Sequence, residues 1–297
     1  MARPSANPMT SPTPLPEVNV VLAELMANWR EILGPNLIGA YLQGSFAVGD
    51  FTATSDIDFL VVIKSEPDAP VLARLQQLHA AMQAKPSYWA KHLEGSYTVA
   101  AVIRRLADEP RDPPGEPPRP SSSRDPETGL PARHYPFLFL GNGSDKLARS
   151  EHDNNRVVRW VVRERGVVLH GPPPAQLIDP ISRDELRAEV RTNLLVYTEP
   201  YAASQRVIDQ VWMQSFFVTL ICRMLHTLHT GQIQSKKAGG EWALQTLDPQ
   251  WHELIQRAAV TWSKQQERWM NQPDAGEVEA TLEFMRYALK LCATGTS

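Results

Sequence analysis

The first part of the chain mixes helical and strand-like patterns of apolar positions. Apolar side chains at helical spacing predict a helix over residues 17–34 that ends at Gly34-Pro35. Short runs rich in β-branched side chains predict strands over 37–42, 57–63 and 96–103. The other elements predicted in this part are a helix over 70–83, a strand over 135–140, a helix over 151–165 and an edge strand over 167–170.

Beyond the stiff segment Gly171-Pro-Pro-Pro174 the pattern is helical almost throughout. Helices are predicted over residues 182–198, 205–230, 236–247, 250–270 and 276–292. Strands and helices alternate before the break and helices alone follow it, which predicts an α+β fold. We expect a domain with a small mixed sheet and flanking helices over 17–172, and an all-α helical domain over 173–297.

Two segments are too rich in proline and polar residues to form a core. Residues 1–16 are rich in Pro, Ser and Thr and predict a disordered leader. They contain no apolar run of signal-peptide length. Residues 108–133 predict a long Pro-rich surface loop inside the first domain.

Composition narrows the classes of partner and compartment. Lys and Arg number 30 against 33 Asp and Glu, so the chain has no broadly basic surface and a nucleic-acid partner is not expected. No run approaches the roughly 18 apolar residues of a membrane span. The two cysteines cannot form a disulfide framework. We therefore expect a cytoplasmic monomer.

The segment that carries candidate chemistry joins the first two predicted strands. It reads Tyr41-Leu-Gln-Gly44-Ser45, then ten residues, then Asp56-Ile57-Asp58. Because successive side chains on a strand point to opposite faces, the two aspartates project together, and paired carboxylates suit Mg²⁺. Gly44 permits a close backbone approach, and Ser45 at a strand-to-helix turn offers a hydroxyl and N–H groups to phosphate oxygens. An isolated Asp-x-Asp is also typical of solvated turns, but this spacing from Gly-Ser favours phosphoryl transfer.

Glu94 is a third candidate acid, at the start of the next predicted strand. If that strand lies beside the strand of Asp56 and Asp58, the Glu94 carboxylate can contribute to the metal site and act as general base on an attacking hydroxyl. The alternative is a surface glutamate at a strand end.

These residues resemble the DNA-polymerase-β-type nucleotidyltransferases, and more closely the aminoglycoside 3″/9 adenylyltransferase family. The resemblance covers most of the chain, including the Gly-Ser-x10-Asp-Ile-Asp core and the block from Leu220 to Ala243. It implies ATP as the nucleotide, Mg²⁺ as the metal, and Arg223 and Lys236 as ligands of the phosphates across a cleft. Among the acids that the family places near a cationic drug, one position falls on Asp209 and the other on Met213.

The sequence thus predicts an adenylyltransferase acting on a small hydroxyl acceptor, an aminoglycoside or aminocyclitol by resemblance. Asp56, Asp58 and Glu94 are its predicted metal ligands and catalytic acids, and Gly44, Ser45, Arg223 and Lys236 its predicted phosphate contacts. Three alternatives remain open: transfer to another acceptor such as a protein or metabolite, a catalytically silent nucleotide-binding module, or a helical half that serves mainly for interaction.

Overall fold

A mixed sheet and a helical bundle make up the fold. The computed structural model describes residues 11–53, 55–106, 137–264 and 270–294. In chain order the elements are α1 (Pro16–Leu33), β1 (Leu37–Leu42), α2 (Gly44–Val48), β2 (Ile57–Ile63), α3 (Ala69–Gln83), α4 (Tyr88–Lys91), β3 (Leu93–Val99), α5 (Ala100–Arg104), β4 (Phe137–Leu140), β5 (Leu147–Ser150), α6 (Arg156–Arg165), β6 (Val167–His170), α7 (Arg183–Ala202), α8 (Val211–Thr230), α9 (Lys236–Thr246), α10 (His252–Lys264) and α11 (Ala275–Thr294).

The sheet has six strands in the order β5-β4-β3-β2-β1-β6. Only β2 and β3 run parallel, and the other neighbouring strands are antiparallel. Strand alternation sends Ile57, Phe59 and Val61 of β2 into the core under α1 and α3. Leu60 and Val62 point to the opposite face, where they pack with Val162 of α6. The predicted small mixed sheet with flanking helices is confirmed.

The second part of the chain is a helical bundle around α8, as predicted. The inward faces of α7, α9, α10 and α11 pack on α8, and Val161 of α6 and Ala47 of α2 join the same cluster. By length and composition α8 is the one described helix that could cross a membrane, but 67% of its apolar window is buried inside the fold.

Several predicted boundaries differ from the structure. Residues 100–103 belong to the short helix α5 and not to the strand before it. Residues 205–210 precede α8 without being helical, and 151–155 form a turn before α6, whose N-cap is Asn155. β5 was not predicted, because its two middle residues are exposed and it lies at a sheet edge.

The predicted Pro-rich loop at 108–133 lies outside the described residues, as do residues 1–10 of the predicted leader. Next to α1, Thr13 is buried and its hydroxyl donates to Asn19 at 2.9 Å. The last strand ends at His170, just before the predicted domain break, but α6 contributes side chains to both cores. The division into domains at this point stays a prediction.

Candidate active site

The two aspartates of the sequence motif stand at the start of β2 and share one face of the sheet. Asp58 has the same parity along the strand as Leu60 and Val62, so it projects to the face of α6. Asp56 lies two residues earlier and projects the same way. Ile57 between them is fully buried on the other face, which is the arrangement that the sequence predicts.

Glu94 is the register partner of Asp58. The two strands are parallel neighbours, and Glu94 of β3 stands opposite Asp58 of β2. Residues paired in this way point to the same face, so the third acid is brought beside the other two. The Glu94 side chain is only 22% exposed, which does not fit a solvated glutamate at a strand end.

Gly44 and Ser45 form the turn from β1 into α2 directly against Asp58. Gly44 has φ +56°, and a Cβ placed on it would lie 1.8 Å from Oδ2 of Asp58. Only glycine allows the backbone to approach the carboxylate so closely. The Oγ atom of Ser45 is buried and has no hydrogen-bond partner among the described residues. A buried hydroxyl without a protein partner is a ready contact for a ligand.

The acids repel one another electrostatically. Burial raises the pKa of Asp58 well above its usual value, and the charges of Asp56 and Glu94 raise it further. Burial and the charge of Glu94 also raise the pKa of Asp56. The positive charge of Lys236 opposes both shifts. The site therefore holds more negative charge than its own side chains neutralise, which favours binding of a cation.

Arg223 and Lys236 approach the acids from the helical bundle. Burial lowers the pKa of Arg223, while the charge of Asp58 acts in the opposite direction. Glu241, a possible partner of Arg223, is exposed. Gly239 lets α9 pack closely on α8, since a Cβ on it would lie 2.7 Å from the Arg223 Cα.

Lys236 is the first residue of α9, and Ser235 caps that helix. The Nζ atom of Lys236 lies 3.6 Å from the ring centroid of Trp262 and 4.8 Å from that of Phe216. Burial and the nearby Arg223 lower the pKa of Lys236 to about 7, against the opposite effect of the acids. Two aromatic faces thus hold an ammonium group close to the carboxylates.

Asp209 and the metal assignment stay predictions. Asp209 lies on the exposed segment before α8. Within the ranges that the structure describes, no three side chains of metal-binding type stand close enough together to form a ready-made site. The structure brings Asp56, Asp58 and Glu94 to one face but contains nothing that tests their role as ligands.

Three polar residues next to the acids were not identified from the sequence. Asn142, in the turn between β4 and β5, donates from Nδ2 to Oδ2 of Asp56 at 3.2 Å. His152 Nε2 lies 3.3 Å from Oε1 of Glu94. Asp153 is buried and accepts a hydrogen bond from Ser96 Oγ at 2.7 Å. Residues 151–155 were predicted to begin a helix, and no local signal in the sequence separates His152 and Asp153 from ordinary helix-start residues.

Each of the two parts of the chain matches a known protein family. Residues 24–98 match the family described as nucleotidyltransferase domain, and residues 176–288 match the family described as aminoglycoside adenylyltransferase, C-terminal domain. The first match contains the Gly-Ser turn and all three acids, and the second contains Arg223 and Lys236.

Similar curated proteins and solved structures carry related names. An aminoglycoside (3″) (9) adenylyltransferase of Shigella flexneri is 23% identical over 273 residues, covering 91% of this chain and 93% of that protein. A spectinomycin 9-adenylyltransferase of Staphylococcus aureus is 22% identical over 222 residues, covering 73% and 75%. The crystal structure of a spectinomycin adenyltransferase from Enterococcus faecialis, with ATP and spectinomycin, has a TM-score of 0.64 at 17% identity and covers 91% of this chain and 98% of its own. The resemblance predicted from the sequence is confirmed, and the solved structure shares the fold.

Proposed function

We propose that this chain, a nucleotidyltransferase similar to the aminoglycoside adenylyltransferases in both of its parts, transfers AMP from ATP to a hydroxyl group of a small aminoglycoside or aminocyclitol acceptor. The observation that carries the proposal is the convergence of two groups of side chains. Glu94 stands in register with Asp58 against the Gly44-Ser45 turn, and Arg223 and Lys236 face these acids from the bundle.

The phosphate contacts follow from the charges and the unpaired hydroxyl. Lys236 and Arg223 supply positive charge to the triphosphate, and the Ser45 hydroxyl, which has no hydrogen-bond partner within the described ranges, can bond to a phosphate oxygen. Burial and then the charge of Arg223 lower the pKa of Lys236, and an anion bound between the two side chains would offset their repulsion. The three side chains thus hold the triphosphate in position for attack at the α-phosphorus.

Glu94 is the proposed general base. Its carboxylate takes the proton from the acceptor hydroxyl, and the acceptor oxygen forms a bond to the α-phosphorus. The bond from the α-phosphorus to the bridging oxygen of the β-phosphate breaks, and pyrophosphate leaves with that electron pair. Asp209, on the exposed segment before α8, is proposed to attract a cationic acceptor.

The donor set fits Mg²⁺. Asp56 and Asp58 offer carboxylate oxygens from one face. The pKa of each is raised by burial and then by neighbouring negative charge, and a divalent ion would compensate that charge. These two residues would hold the ion, which when bound neutralises charge on the phosphates, while Glu94 acts as the base beside them.

Pyrophosphate release in the presence of Mg·ATP tests the proposal. Wild-type protein is assayed with streptomycin, spectinomycin and other aminocyclitols. Mass spectrometry then measures whether the mass of each product has increased by that of an added AMP group. Asp58→Asn serves as the inactive comparison. We expect turnover with at least one aminocyclitol and none with Asp58→Asn. Turnover only with a protein or an unrelated metabolite would overturn the assignment of the acceptor, and ATP binding without turnover on any acceptor would support a silent nucleotide-binding module instead.

A further inference from the structure

The carboxylate of Glu94 is in contact with a histidine from outside its own strand. His152 precedes α6, and its Nε2 lies 3.3 Å from Oε1 of Glu94. The His152 ring stacks on the ring of Phe139 in β4, with centroids 4.7 Å apart and planes 24° from parallel. Because β4 is the neighbour of β3, one strand supports the ring that contacts the acid on the next strand.

The turn that carries His152 is held by side-chain hydrogen bonds on both sides. Asn155 donates from Nδ2 to the carbonyl oxygen of His152 at 2.7 Å, while its Oδ1 caps α6. Asp153, the next residue, is buried and bonded to Ser96 of β3 and to Gln43 of the Gly-Ser turn. The histidine is therefore fixed relative to the strand of Glu94 and to the proposed phosphate contacts.

We propose that His152 is a positioning residue for Glu94. An N–H at Nε2 donates to Oε1 of the carboxylate, which holds that oxygen against the His152 ring and leaves the other oxygen, Oε2, to accept the proton of the acceptor hydroxyl. This inference rests on the proposed function, since Glu94 needs an orientation only if it acts on a hydroxyl. It assigns a role to residues 151–155, which lie outside both of the family matches.

Holding the carboxylate of the general base in one orientation should raise kcat by a measurable factor. A general base must reach its proton at hydrogen-bond distance, and a free carboxylate samples rotamers that do not. Partners that orient the ligands of a metal site typically contribute about 10- to 100-fold to affinity or activity, and we expect a contribution of the same order from a partner that orients the base. The contribution appears in kcat and leaves nucleotide binding unchanged, because His152 contacts the base and not the proposed phosphate ligands.

Two substitutions at His152 separate the hydrogen bond from the ring stacking. His152→Phe keeps an aromatic ring for Phe139 but removes the N–H donor, whereas His152→Gln keeps an N–H donor of similar reach and removes the ring. His170→Ala is the matched control, since His170 ends the strand at the opposite edge of the sheet. Each protein is assayed for kcat and for the KM of ATP with an acceptor that the wild type turns over, and calorimetry gives the affinity for ATP.

We expect His152→Phe to lose kcat by about 10- to 100-fold with unchanged ATP affinity, and His152→Gln to recover part of that loss. His170→Ala should behave as wild type. Full activity of His152→Phe would overturn the inference while leaving the proposed function intact. An equal loss in both His152 variants, accompanied by weaker ATP binding, would also overturn it, because that pattern indicates a structural role. Absence of wild-type turnover with every acceptor would overturn the proposed function and this inference together.

Discussion

Replacing Gly44 by alanine tests the close contact between the Gly-Ser turn and Asp58. Gly44 has a positive φ of +56°, so any L side chain there adds backbone strain of about 1–2 kcal/mol. Its Cβ would also stand 1.8 Å from Oδ2 of Asp58, well inside van der Waals distance. The carboxylate must rotate away or the turn must shift, and either change moves a proposed metal ligand or a phosphate contact.

The chain contains a matched control at the other end of the same short helix. Gly49 has φ +74°, and no atom of the residues that the structure describes lies within 4 Å of a Cβ added to it. Gly49→Ala therefore carries the backbone strain without the clash. We expect Gly49→Ala to lose about 1–2 kcal/mol of unfolding free energy in urea, and Gly44→Ala to lose at least as much because the clash adds to the strain. Only Gly44→Ala should lose kcat, by about 100-fold or more, since displacement by 1 Å at a reacting centre can cost that much.

Steady-state pyrophosphate release with Mg·ATP and an acceptor, alongside urea unfolding, provides both quantities. Wild-type kcat in Gly44→Ala would contradict this explanation, because Asp58 would then tolerate a displaced position. The explanation is equally refuted if Gly49→Ala loses as much activity as Gly44→Ala, because backbone strain alone would then explain the effect.

Two further predictions concern charge. Lys236→Met should weaken ATP binding about tenfold or more, the loss expected for charge-assisted hydrogen bonds. Lys237→Met, at the exposed neighbouring position, should bind ATP as tightly as wild type in calorimetry. Equal affinities of the two variants would contradict the assignment of Lys236 as a phosphate contact. Burial lowers the pKa of His79 from 6.5 to about 4, so the unfolded chain takes up a proton there before the folded one does. The difference in unfolding free energy between wild type and His79→Gln, measured by urea unfolding, should favour wild type most above pH 6.5. It should fall by about 3 kcal/mol as the pH drops to 4. A difference that stays constant with pH would contradict the burial of a neutral imidazole.

The sequence predicted the part of the site that depends on local geometry. Side-chain alternation along one strand was enough to put Asp56 and Asp58 on one face, and the strand-to-helix turn at Gly44 was evident from the chain itself. The placement of Glu94 needed only the assumption that its strand neighbours β2, and the parallel pairing of Asp58 with Glu94 agrees with it.

The rest of the site depends on contacts between distant segments. Asn142 reaches Asp56 because β4 and β5 extend the sheet beyond β3, and β5 has too few buried positions to be recognised from its pattern. His152 reaches Glu94 because residues 151–155 form a turn, whereas the predicted helix began at Glu151 and included them. The strand predicted through Ile103 fails for a related reason, since β-branched residues also occur in the short helix α5.

The central claim is that Glu94 acts on the acceptor hydroxyl beside Asp56 and Asp58. Single-turnover AMP transfer by Glu94→Gln tests it most directly, because glutamine keeps the size of the side chain but cannot take a proton. We expect the variant to bind ATP as tightly as wild type and to transfer AMP about 10²- to 10⁴-fold more slowly. Transfer at the wild-type rate by Glu94→Gln would contradict the claim.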